Sequence, residues 1–86
     1  MRVNYKEKIY EIVNNLVDAE DEHMDVHADL YTEYNLGSLD VVELIIQLEE
    51  TFQIQIDDYE LDLENFRNLE LIYSLIEGRI NVDNEF

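Results

Sequence analysis

The run Asn35-Leu36-Gly37-Ser38-Leu39-Asp40-Val41-Val42-Glu43-Leu44-Ile45-Ile46-Gln47-Leu48-Glu49-Glu50-Thr51-Phe52 constrains the fold more than any other part of the chain. Its apolar residues recur at helical spacing from Leu39 to Phe52. Gly37, one of only two glycines, is the natural place for a tight turn before that helix. Ser38 follows where a helix start needs an oxygen to satisfy its free amides. A hydroxyl there has two uses. It can cap the helix, or it can carry an anionic group favoured by the amides and the helix dipole.

At about 100° per residue, Val41, Leu44, Ile45, Leu48 and Phe52 share one broad face, the expected core face. Asp40, Glu43, Gln47, Glu50 and Thr51 lie opposite. Leu39, Val42 and Ile46 form a second, narrower strip leading to Ser38. A helix needs only one apolar stripe to pack. Either the helix is sandwiched and all of these residues are core, or the second strip is a docking surface rimmed by acids.

The chain of 86 residues suits one small domain, 1–86. A chain this size buries roughly 60–65% of its unfolded surface, which leaves no room for a deep active-site cleft. It has 22 acidic residues against 5 basic ones and a net charge of −17. Nucleic acid is therefore not expected as a ligand, because phosphates must be neutralised by basic groups. Basic protein partners are expected, steered by charge. The bland alternative is that the charge only keeps the domain soluble. With no cysteine there is neither a disulfide frame nor a thiolate metal site. No apolar run approaches the length of a membrane span, and the first residues lack a signal-peptide core. The expectation is a soluble, cytoplasmic, monomeric protein.

Residues 3–17 read as a first helix with Tyr5, Ile9, Ile12, Val13, Leu16 and Val17 on one face. Asn4 is its candidate cap, with Glu7 at capping-box spacing. Residues 18–35 form a long connection, which is usually functional or internally packed. Val26, Leu30, Tyr31 and Tyr34 can tuck it inward, and Asp29 can cap a short helical turn before Asn35. His23 and His27 stand at i, i+4 near Glu20, Asp21 and Asp25, but no third ordered ligand accompanies them and no metal site is assigned. Gln53-Ile54-Gln55-Ile56 reads as an extended exit anchored by its isoleucines. A short helix or turn within 58–66 is expected to be pinned by Tyr59, Leu61, Leu63 and Phe66. Asn68 caps a last helix over Leu69–Glu77, striped by Leu69, Ile72, Tyr73 and Ile76. Gly78 should end it, and 79–86 should fray apart from Ile80. The result is an all-α bundle of three longer helices and a short one. Of five basic residues, only Arg67 lies away from the termini.

Catalysis finds little support. A Ser-His-Asp arrangement would need His23 or His27 to fold back onto Ser38. There is no glycine-rich phosphate loop, and carboxylates are too numerous for their pairing to carry information.

The segment Gly37-Ser38-Leu39-Asp40-Val41-Val42-Glu43-Leu44, followed by Leu48-Glu49-Glu50-Thr51-Phe52 and Ile54-Gln55-Ile56, resembles the acyl and peptidyl carrier proteins. Asp29-Leu30-Tyr31 and Asn65-Phe66-Arg67-Asn68-Leu69 are similar to segments flanking that motif, so the resemblance spans about residues 5–78. It departs at Gly37, where the family usually has Asp. The resemblance implies a four-helix carrier fold, no enzymatic activity, and a phosphopantetheine arm on Ser38, with Gly37 beside it. The arm's thiol would hold an acyl or aminoacyl group as a thioester. The implied partners are a phosphopantetheinyl transferase, a loading ligase, and a downstream transferase or synthase. Leu39, Val42 and Ile46 would be the docking anchors, and Asp40, Glu43 and Glu50 the steering rim. The alternative is an unmodified acidic interaction module using the same helix.

Overall fold

The computed structural model describes residues 4–17, 24–57 and 61–83, with side chains through Ile80. Its described residues are helical or irregular. Helices α1 (Tyr5–Leu16), α2 (Leu30–Glu33), α3 (Ser38–Phe52) and α4 (Leu69–Asp83) follow one another, with a 3₁₀ turn at Leu63–Phe66 before α4. The four-helix carrier-type bundle expected from the sequence is the fold observed.

Helices α1, α2 and α4 start where a short polar side chain can take their free amides. Asn4 Oδ1 accepts from the Glu7 amide at 3.3 Å, and Asn68 Oδ1 from the Leu71 amide at 2.8 Å. Asp29 Oδ1 accepts from Tyr31 and Thr32 at 2.9 and 3.3 Å, as the spacing requires.

α1 packs against both α3 and α4. Ile9 and Val13 of α1, Leu44 and Leu48 of α3, and Leu69, Ile72 and Ile76 of α4 are fully buried. Ile54 and Ile56 are buried as expected. The exit from α3 turns on Gln53, left-handed at φ 55°, and is latched by Glu49, whose Oε2 accepts from the Ile56 amide at 3.0 Å.

Two expectations need correction. α4 does not stop at Gly78 but runs to Asp83. A mid-helix glycine costs only about 1 kcal/mol, and Ile80 continues the stripe of Ile72 and Ile76 into the core. Leu61 and Leu63 do not pin the turn before α4; both are exposed, and Phe66 alone is buried there. One short turn has room for one large inward side chain. Tyr59 lies outside the described residues.

The long connection is tied down by polar contacts as well as by buried Met24, Leu30 and Leu36. Tyr10 Oη accepts from the Met24 amide at 2.9 Å, and Tyr34 Oη from the Asp25 amide at 3.4 Å. Tyr31 Oη donates to the Leu63 carbonyl. The Val26 carbonyl accepts from the Glu70 amide at 3.1 Å, and His27 Nδ1 lies 3.0 Å from Glu70 Oε1.

Arg67 joins the connection to the 3₁₀ turn. Its Nη1 donates to Asp29 Oδ2 at 2.6 Å, and its Nη2 and Nε donate to Glu64 at 2.6 and 3.0 Å. The guanidinium carbon stands 5.5 Å from the centre of the Tyr31 ring. Partial desolvation pushes the Asp29 carboxyl up, but the Arg67 hydrogen bond and the Tyr31 and Thr32 amides outweigh it and hold it below the usual carboxylate range. The Arg67 hydrogen bond lowers Glu64 in the same way.

Burial separates the two strips of α3 energetically. Leu44→Ala should cost ~3 kcal/mol, whereas Leu39→Ala, at a residue 83% exposed, should stay within about 0.5 kcal/mol. Urea unfolding of both variants checks this; comparable losses would place the second strip in the core. The depressed carboxyls add a pH signature. A carboxylate lowered in the folded state stabilises above its unfolded value and loses that contribution as pH falls through the folded one. The stability gap between the parent and Asp29→Asn should therefore be widest near neutrality and close below about pH 4, as thermal melts across pH would report.

Candidate functional site at the start of α3

Ser38 is the first residue of α3 and is exposed. It does not cap the helix. Gly37 holds the cap position with φ −87° and ψ 169°, extended backbone open to any residue. The left-handed residue of the turn is Asn35, at φ 59°, so the tight turn expected at Gly37 falls two positions earlier. Asparagine tolerates that region because its short amide bonds locally.

At the start of α3 only the Gly37 amide is satisfied by a side chain from within the helix. Asp40 Oδ2 accepts from the Gly37 amide at 2.9 Å, and the Gly37 carbonyl accepts from the Val41 amide at 3.1 Å. A Cβ on Gly37 would stand 3.4 Å from Asp40 Oδ2, an ordinary contact with the capping carboxylate. With Asp40 occupied at Gly37, the amides of Ser38, Leu39 and Asp40 remain at the positive end of the helix dipole. An anionic ester on the serine would meet favourable charge there. The residues present thus fit a phosphopantetheine group: an exposed hydroxyl with open donors around it.

Beside Ser38 the second apolar strip faces outward. Leu39 is 83%, Val42 54% and Ile46 44% exposed, so these residues are not core. Glu43 and Glu50 are exposed around the strip, with Gln47 Nε2 donating to Glu43 Oε2 at 3.0 Å. Asp40 is only partly exposed and is already engaged as a capping acceptor. Leu61, Leu63 and Leu71 are further exposed leucines, which wheel geometry for α3 could not have revealed.

The remaining candidates do not converge on the serine. His27 pairs with Glu70 on α4, and His23 lies outside the described residues. Among the described residues no group of three or more His, Asp or Glu is arranged to hold a metal ion. A separate open groove of about 460 Å³ lies between α1 and α4, lined by Tyr5, Lys6, Val26, Glu70, Tyr73, Ser74 and Glu77. Desolvation and the Glu77 carboxylate raise the Tyr5 phenol, and desolvation chiefly raises that of Tyr73. Lys6 Nζ stands 5.7 Å from the Tyr73 ring centre. Among the described residues no helix is long and apolar enough to cross a membrane.

Comparison with known proteins agrees with this geometry. The family model described as "Phosphopantetheine attachment site" matches residues 7–76. The acyl carrier protein of Coprothermobacter proteolyticus is 28% identical over 79 residues, covering 87% of this chain and 94% of that one. The D-alanyl carrier protein of Lactococcus lactis subsp. cremoris is 28% identical over 74 residues, covering 86% and 94%. The acyl carrier protein of Buchnera aphidicola subsp. Acyrthosiphon pisum is 37% identical over 62 residues, covering 72% and 78%. No solved structure matches the chain. The helical bundle, the exposed serine at a helix start and the match over residues 7–76 lead to one conclusion: the chain belongs to the phosphopantetheine-attachment family of acyl carrier proteins and is a non-catalytic carrier of covalently bound phosphopantetheine.

Proposed function

We propose that Ser38 is the attachment point of the arm, and that the loaded chain delivers acyl or aminoacyl groups, held as thioesters, between biosynthetic enzymes. The observation that carries this reading is the exposure of Ser38 at the first position of α3, with the cap supplied by Asp40 instead of by its own hydroxyl. When bound, the arm supplies a thiol, which a chain without cysteine lacks. The chain's own residues present the hydroxyl and leave the Ser38, Leu39 and Asp40 amides facing the ester.

Leu39, Val42 and Ile46 serve as the apolar anchors for partner enzymes, with Asp40, Glu43 and Glu50 as the rim. The exposure of Leu39, Val42, Ile46, Glu43 and Glu50 supports this role. Charge on the rim speeds encounter with basic patches, and apolar burial holds the complex. The partners are a phosphopantetheinyl transferase, a loading ligase and a downstream transferase or synthase. The whole of 1–86 acts as one carrier domain, monomeric and cytoplasmic.

Incubation with coenzyme A and a broad-range transferase should raise the intact mass by one phosphopantetheinyl group, and Ser38→Ala should abolish the gain. An unchanged mass with several transferases would favour the unmodified interaction module instead. Ile46→Arg should weaken transferase binding about tenfold or more while leaving the thermal midpoint near that of the parent. Raising salt should slow association of the parent with the same enzyme. Titration calorimetry and stopped-flow binding read the two effects.

A further inference from the structure

Arg67 is the one basic residue set away from the termini of a chain with net charge −17. Its guanidinium uses all three nitrogens: Nε and Nη2 on Glu64, and Nη1 on Asp29. Asp29 divides its carboxylate. Oδ1 caps the Tyr31 and Thr32 amides of α2, and Oδ2 receives Arg67. The Arg67 carbonyl also accepts from the Leu30 amide at 2.7 Å. Arg67 thus grips the first turn of α2 by its side chain and its backbone.

That turn leads directly to the serine. The Leu30 carbonyl accepts from the Leu36 amide at 3.0 Å and from the Tyr34 amide at 3.3 Å. This closes the loop around left-handed Asn35. Leu36 is buried, and the next residue, Gly37, is held by Asp40 at the start of α3. A path therefore runs from the guanidinium by hydrogen bond to Asp29, along the chain to Leu30, and by hydrogen bond to Leu36, two residues before Ser38. We propose that Arg67 is a positioning residue that holds the lead-in to Ser38 in its presenting conformation. The proposal rests on Ser38 being the modified residue, but the clasp itself can be judged apart from that.

The planar fork of arginine is needed for this geometry. Lysine offers one ammonium, which cannot serve Glu64 through two nitrogens and Asp29 through a third. Arg67→Lys should therefore behave like Arg67→Gln, a result that simple charge compensation does not give. Lys8→Gln, at an exposed α1 position, makes the same charge change as Arg67→Gln and is the control.

Two measurements on the intact chain test this, both well below the thermal midpoint of each variant. Amide hydrogen exchange needs no transferase. In both Arg67 variants, protection at Leu36 and Tyr34 should fall about tenfold or more while protection at Val13 and Ile76 is kept. In the second, with coenzyme A and a transferase, kcat/KM for modification should fall about tenfold, and Lys8→Gln should not share the fall. Unchanged exchange at Leu36, or loosened exchange with parental modification kinetics, would overturn the proposal. So would uniform loss of protection across the bundle, or full function in Arg67→Lys. If the parent chain itself gains no mass while Arg67 variants still loosen Leu36, the assignment of Ser38 is wrong and the clasp stands.

Discussion

The structure depends on three helices meeting along one apolar stripe each. α1 lies between α3 and α4 and contributes Ile9 and Val13 to a core that Leu44, Leu48, Leu69, Ile72 and Ile76 complete. A chain of 86 residues can fill one such centre and no more. The second strip on α3 is consequently left outside, where Leu39, Val42 and Ile46 meet solvent. Exposed apolar surface carries a solubility cost that a domain of this size would otherwise avoid. Here the surrounding acids, Glu43 and Glu50, limit that cost.

The polar arrangement follows from the charge imbalance. A chain with 22 acidic and 5 basic residues cannot neutralise itself by pairing. Instead, several carboxylates are spent on backbone amides: Asp29 on α2, Asp40 on α3, Asp62 on the 3₁₀ turn and Glu49 on the exit from α3. These bonds use negative charge where a helix start or an open amide can accept it. The scarce cations close gaps between segments. Arg67 spans α2 and the 3₁₀ turn, and Arg79 reaches Asp57 at 3.5 Å from α4.

Much of this was legible in the chain before any coordinates. The bounds of α3, the Asn4, Asp29 and Asn68 caps and the inward Ile54 and Ile56 follow from local rules, because periodicity and capping act within a few residues. The exposure of the Leu39 strip was not legible. A helical wheel shows that two strips exist, but only the placement of α1 and α4 decides which is covered. The same limit explains Gly78 and Leu63. A glycine stops a helix only when nothing beyond it has a place in the core, and Ile80 has one. The roles of Gly37 and Asn35 were exchanged because composition favours glycine for a turn, whereas an asparagine can take the left-handed position.

The tyrosines that hold the first connection have an optical consequence. The chain has six tyrosines and no tryptophan. Tyr10 and Tyr34 accept from backbone amides within the connection, and Tyr31 donates to the carbonyl of Leu63. Detaching the segment that precedes the serine would return these phenols to water. Three of the six tyrosines therefore sit where the loop is fastened, so part of the near-ultraviolet signal of the native chain reports on its own loop without a fluorescent label.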